Sequence, residues 1–360
     1  MTGEERPLRL WVFGDAHVGT DLRHGRRSLA EAIEQSQEGG DEGGPPFDWD
    51  LAIDVGDMSG AHHSTPDDAE GEEVRRQLGA LRGHRREDVY SVCGNHDRSG
   101  LDEPDGWWWR RWVDPLGEHT EYSGVDPAAR PYPVSGTWER YSFEVGNLLF
   151  LMMSDRNEPS QSVGRGPLGG NPGGVVSQET FDWWRQQVED HPDKLVVTVH
   201  HYVLKDTTVA SGEWEGVRRN AAGEWVEHYH RPFAEGTPNG ASYLYWVGGK
   251  PDSGAFERHL EAHPGRVALW LAGHTHTHPD DTYGGKSHIE RRWGTWFMNA
   301  AALTRFHMPI TTLPMSRLLT FTPGSATVRA QCYLHTSQHA PQGWYPPAER
   351  HLELPKAFHW

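Results

Sequence analysis

Five short stretches of this chain bring together residue types that can hold ions and move protons. They are Asp15 with His17, Asp57, Asn95-His96-Asp97, His200-His201, and His274 with His276. The Asn95 amide offers a carbonyl oxygen to a metal. His96 can carry a proton near neutral pH, and Asp97 can accept a hydrogen bond from that imidazole and fix its tautomer. Asp15 and His17, spaced Asp-x-His, can face one ion together. In an extended His274-Thr275-His276 both imidazoles point the same way, because alternate side chains share a face. Taken singly, each stretch also reads as a polar turn in solvent. Their weight comes from where each one stands.

Each stretch follows an apolar run with strand character: residues 8–13, 50–55, 89–93, 195–199 and 266–272. In four of the five, Gly14, Gly56, Gly94 or Gly273 breaks the run just before or within the polar residues. Glycine lets the backbone turn sharply and come close to a ligand. Helical periodicity is expected over 28–37, with Ser28 as a possible cap, and over 67–83, 177–190 and 253–263. Residues 138–145 and 148–153 read as a hairpin about Gly146-Asn147. Further strands are expected over 295–299, 318–322 and 326–333. Parallel strands joined by helices place their carboxyl ends along one sheet edge, where α/β proteins bind ligands.

The chain of 360 residues reads as a single domain, 1–360, without internal repeats. Two loop insertions are expected, over 101–133 and 205–254, and a surface tail over 341–360. The first insertion contains Trp107-Trp108-Trp109-Arg110-Arg111-Trp112, either an aromatic cluster packed under a loop or a substrate wall led by Trp107. The second is rich in aromatics and long enough to be an ordered cap. Asp155 and Arg156 end a strand, and Arg156 is a candidate phosphate contact. His62, His63 and His278 are expected at the surface or beside the site. Gly284-Gly285-Lys286-Ser287 fails as a phosphate loop, since Asp280 stands where the first glycine is required.

Lys and Arg number 34 against 51 Asp and Glu, a formal charge of −17. Such an acidic chain repels a nucleic-acid backbone, so the expected partner is a small phosphorylated molecule. The two cysteines, Cys93 and Cys332, exclude a disulfide scaffold and suit a reducing, cytoplasmic setting. A signal peptide is not expected, and neither is a membrane association, since apolar runs fall short of the roughly 18 residues of a span. Oligomeric state is not legible.

In order along the chain the motifs read Asp-x-His, Gly-Asp, Gly-Asn-His-Asp, His and Gly-His-x-His. This ordered set resembles the calcineurin-like metallophosphoesterase superfamily over about residues 8 to 335. The resemblance implies a four-layer αββα sandwich with two central mixed sheets and a dimetal site at the strand carboxyl ends. It further implies that Asp15, His17 and His276 hold one ion and Asn95, His200 and His274 the other, with Asp57 shared. Carboxylate, amide and imidazole ligands together suit Mn, Fe or Zn. A water activated between the ions would attack phosphorus in line. His96, oriented by Asp97, would assist the leaving group. His201, beside His200, is left as a candidate substrate contact. The residue after this pair is Tyr202, where the family often has proline. The expected activity is a phosphodiesterase on a small, nucleotide-like substrate. A phosphomonoesterase is the alternative. Recruitment of the dimetal site for non-phosphate chemistry and a non-catalytic binding scaffold are the remaining readings.

Overall fold

The computed structural model describes residues 6–60, 67–97, 107–156, 174–212, 217–219, 225–227, 243–244, 246–248, 250–251, 254–307 and 310–360. Two mixed seven-stranded sheets form its centre. In the first, Leu8–Phe13, Leu51–Asp54 and Val89–Ser91 run parallel. Leu8–Phe13 also pairs antiparallel with Met315–Phe321, which pairs with Thr327–Leu334. In the second, Leu148–Met153, Leu195–Val199, Val267–Ala272 and Thr295–Asn299 run parallel. Antiparallel strands Arg140–Val145 and Ile289–Arg292 flank this group.

Every residue of Leu148–Met153, Leu195–Val199 and Val267–Ala272 is buried, as expected of strands covered on both faces. Their alternation decides what each face meets. Leu195, Val197 and Val199 join Leu10, Val12 and Ile53 of the other sheet in a core between the two sheets. Val196, Trp270 and Phe297 face the opposite way, onto Trp184 and Phe256 of the helices Gln178–Asp190 and Ala255–Ala262. On the far side of the first sheet, Trp11, Ala52 and Val89 pack against Leu29, Ile33 and Val74 of the helices Ser28–Glu38 and Asp68–Leu78. The layers are therefore helix, sheet, sheet, helix. Asp67 and Ser177 cap their helices by accepting from the N–H of Glu70 and Thr180.

Three expectations change. Trp107–Trp112 is a helix, not an irregular loop. Trp108, Trp109 and Trp112 are buried against Asp68–Leu78, so these rings are packing, not a substrate wall. The side chain of Trp107 lies outside the described residues. Ser28 is the first residue of its helix instead of the cap, and its N–H and hydroxyl are bonded to the Asp21 carboxylate. The segment 341–360 is no surface tail. Arg350–Glu353 pairs with Thr327–Leu334, and Leu352 and Phe358 enter the inter-sheet core. Its Pro and His content concealed the alternation of buried Leu352 and Leu354 with exposed Glu353. Cys93 and Cys332 are buried free thiols. No helix among the described residues is long and apolar enough to cross a membrane.

Candidate metal centre

The strand ends converge as the parallel arrangement requires. Asp15 and His17 follow Leu8–Phe13, Asp57 follows Leu51–Asp54, and Asn95 to Asp97 follow Val89–Ser91. His200 and His201 follow Leu195–Val199, and His274 and His276 follow Val267–Ala272. Two ligand groups result: Asp15 with His17 and His276, and Asp57 with His201 and His274.

In the first group the Asp15 Oδ1 lies 2.8 Å from His276 Nε2 and 3.8 Å from His17 Nε2. The two imidazole Nε2 atoms are 3.2 Å apart. In the second, Asp57 Oδ2 lies 3.1 Å from His201 Nε2. The same oxygen is 3.9 Å from His17 Nε2, so Asp57 stands between the groups. Asn95 Oδ1 lies 3.1 Å from His274 Nδ1, at the edge of the second group.

Backbone carbonyls set the ring orientations. His17 Nδ1 is 2.8 Å from Ser59 O, and His201 Nδ1 is 2.8 Å from Val55 O. Each Nδ1 faces its carbonyl as a donor, which turns Nε2 towards the carboxylates, the arrangement of a metal-ligating histidine. Burial, with His276 nearby, lowers the His17 pKa to about 3, so it is a neutral ligand at pH 7. Burial alone would lower His201 too, but Asp57 and Asp15 overrule it and raise it to about 10. The carboxylates thus demand a positive charge that, among the described residues, imidazoles meet. The ion pairs of Asp15 and Asp57 among the described residues all go to histidines. Buried anions of this kind are balanced by coordinating metals. The donor set, two carboxylates, one amide and four imidazoles, is one that can bind metal.

His200 is not in either group. Its Nδ1 lies 3.0 Å from Tyr202 N and 3.2 Å from Tyr202 O, and its buried Nε2 has no hydrogen-bond partner among the described residues. Burial lowers its pKa to about 3. The reason is strand parity. Leu195, Val197 and Val199 face the inter-sheet core, and the alternation carries His201 to that side and His200 to the helix side. His201, expected as a substrate contact, stands in the second group, where His200 was expected.

Asp97 also has a different part. Instead of orienting His96, its oxygens accept from the N–H groups of Asp57 (2.9 Å), Gly94 (2.7 Å) and Ser59 (2.8 Å). Burial, then the nearby Asp57, holds its pKa well above the usual carboxylate range. His96 stands beside the shared carboxylate. Its N–H donates to Asp57 Oδ1 (2.7 Å), and its Nε2 is 3.9 Å from Asp57 Oδ2. Its ring meets that of His17 edge-on at 4.9 Å. Arg156, expected to meet phosphate, pairs with Glu139 at 2.9 Å.

Asp15, His17, Asp57 and His274 all have positive φ, between 44° and 71°. A non-glycine residue held there costs about 1–3 kcal/mol, a strain that clusters at functional sites. A Cβ on Gly94 would lie 2.3 Å from Asp57 Oδ1, so only glycine lets that turn pass.

One supporting residue gives no signal in the sequence. Glu70, on the inner side of Asp68–Leu78, accepts from the N–H of Gly19 (2.8 Å) and Gly60 (2.5 Å). It therefore ties the loop of Asp15 and His17 to the loop of Asp57. A glutamate on a buried helix face breaks the apolar pattern that periodicity detects. His62 and His63 lie outside the described residues, as does much of the 205–254 insertion. His278 is exposed.

No protein-family model and no curated protein matches the chain. Among solved structures it is similar to GAP50, the anchor in the inner membrane complex of Plasmodium, at 8% identity and TM-score 0.48. That alignment covers 98% of this chain and 90% of GAP50. A single mutant of Vps29 from Entamoeba histolytica aligns at 10% identity and TM-score 0.34, over 96% of this chain and 99% of Vps29. The Thermus thermophilus sulfate thiohydrolase SoxB, in complex with glycerol, aligns at 12% and 0.41, over 95% and 59%. These likenesses are too remote to bear on activity, and the functional case is made from the site.

Proposed function

We propose that this protein is a dimetal-dependent hydrolase of phosphoesters, acting as a phosphodiesterase on a small, nucleotide-like substrate. The supporting observation is the position of Asp57, whose Oδ2 is 3.1 Å from His201 Nε2 and 3.9 Å from His17 Nε2. A carboxylate so placed between two ligand groups suits a bridge. Asp15, His17 and His276 would hold one ion, and Asn95, His201 and His274 the other. Such a pair lowers the pKa of a water and takes up charge on phosphoryl oxygens.

The chain's own residues account for the rest. His17 and His201 are oriented by carbonyls before any ion arrives. His96 is buried beside Asp57 and outside both ligand groups, a position from which its ring can give a proton to the leaving oxygen. A small substrate follows from the charge of −17, which disfavours a polyanion. Two free buried thiols accord with a cytoplasmic location.

The test is a panel of aryl phosphomonoester, aryl phosphodiester and cyclic nucleotide, with Mn-loaded protein and metal analysis of the same preparation. The expected result is two equivalents of metal and faster diester than monoester turnover. His96→Ala should keep both equivalents and lose rate by roughly 10²–10⁴. Monoester turnover alone moves the assignment to a phosphomonoesterase. Two bound equivalents without turnover of any member would replace hydrolysis with a binding role.

A further inference from the structure

A second cluster of metal-ligating side chains lies on the outer helical layer, on the far side of the second sheet from the inter-sheet core. Glu189 is near the end of Gln178–Asp190, and His259 and His263 are four residues apart along and just past Ala255–Ala262. The His263 N–H donates to His259 O (3.0 Å), which keeps the helical turn closed and stacks the two side chains on one face. Their ring centroids are 4.7 Å apart. The His259 Nδ1 is 4.0 Å from Glu189 Oε1, and one ligand atom from each residue falls within a common 4.8 Å.

We propose that Glu189, His259 and His263 form a third site, for a divalent transition ion of the zinc class, separate from the strand-end centre. Four observations support it. Two imidazoles and a carboxylate are a common zinc donor set, leaving a fourth position for water. Donors sharing a tetrahedral ion at about 2.0–2.1 Å lie about 3.4 Å apart, so small rotations of exposed side chains close the present gaps. The His259 side chain is only 8% exposed. Its ring is braced edge-on against Trp184 at 5.2 Å, so one ligand is held in place before binding. Arg185 is drawn to Asp182 (3.2 Å), and Arg266 donates to the Glu189 carbonyl (3.4 Å), not its carboxylate. Both arginines act against a positive charge at His259, opposing the attraction of Glu189. Affinity must therefore come from ligation, which favours Zn²⁺ over Mg²⁺ or Ca²⁺. Occupancy would join the two outer helices through their C-terminal turns.

The test titrates metal-stripped full-length protein with Zn²⁺ and counts bound equivalents after gel filtration. The wild type should take up one equivalent more than the strand-end centre holds. His263→Ala, at an exposed position, should lose that one equivalent. Glu189→Gln should weaken it by about tenfold or more. Asp57→Ala should spare it while depleting the strand-end centre. Bound Cu²⁺ should show nitrogen hyperfine coupling that His263→Ala diminishes in the Asp57→Ala background. Because neither position supports the core, both variants should retain wild-type thermal stability without metal. The proposal is overturned if His263→Ala and Glu189→Gln bind Zn²⁺ with wild-type stoichiometry and affinity.

Discussion

At the scale of single residues, the separation of His200 from His201 carries the sharpest consequence. Only His201 faces Asp57, with its Nδ1 already committed to Val55 O. His201→Ala should cost about one equivalent of bound metal, with activity falling in step. His200→Ala should leave both equivalents, because His200 stands outside both ligand groups. Elemental analysis of the two variants, purified side by side, decides it, and metal loss confined to His200→Ala would reverse the assignment. The parity that separates them was legible in Leu195-Val196-Val197-Thr198-Val199 once the core side of that strand was known. An all-apolar strand covered on both faces does not declare that side. Motif order found the pair, but the two cores and the hydrogen bond from Trp184 Nε1 to Thr198 Oγ1 (2.9 Å) show which side is which. The same applies to Asp97, whose type and place were readable while its three backbone partners were not.

At the scale of elements, the site depends on loops held in strained conformations by groups that do not touch an ion. Glu70 has this task for the Asp15–His17 and Asp57 loops, and Asp97 joins the Asp57 loop to Gly94. Gly19 is fitted to the first role, since a Cβ there would fall 2.4 Å from Glu70 Oε1. Glu70→Ala would leave the Gly19 and Gly60 N–H groups without their acceptor and release the strain at His17 and Asp57. Supporting partners of metal ligands are worth roughly 10–100-fold in affinity. We expect Glu70→Ala to lose Mn at that level and Glu70→Gln, which keeps an acceptor oxygen, to lose less. Competition with a chelator measures both; equal affinity in wild type and Glu70→Ala would refute the positioning role. Elements of this kind escape sequence reading for a physical reason. Helix Trp107–Trp112 is too short to show a helical period, and the indoles of Trp108 and Trp112 pack on Asp68–Leu78.

At the scale of the whole molecule, buried neutral histidines make the fold sensitive to acid. His335 is the case far from the metal centre. Its Nδ1 lies 2.6 Å from Gln35 Oε1, and its Nε2 lies 2.8 Å from Ser316 Oγ, which accepts from Trp11 Nε1 (2.9 Å). The chain of bonds joins the helix Ser28–Glu38 to three strands of the first sheet and is consistent with a single neutral tautomer. Burial, then Arg305, lowers the His335 pKa to about 3. The unfolded chain takes up that proton near pH 6.5 and the folded one does not. Below pH 6.5 the unfolded state therefore binds more protons, and stability falls with pH until about pH 3. At pH 5 the loss is about 2 kcal/mol from this one group. Asp21 and Asp54 act in the opposite sense. Burial raises them to about 6 and about 7, so their contribution is full below the unfolded carboxylate range and is lost as pH rises. The total pH profile mixes both signs, and a variant isolates one. His335→Gln can keep a donor towards Gln35 and an acceptor towards Ser316 but cannot take up a proton. It should be less stable than wild type at pH 7.5, and that deficit should shrink by about 2 kcal/mol at pH 5. Urea midpoints of both proteins at the two pH values give the difference directly. An equal deficit at both would mean that His335 takes up its proton over the same pH range in the folded and unfolded protein.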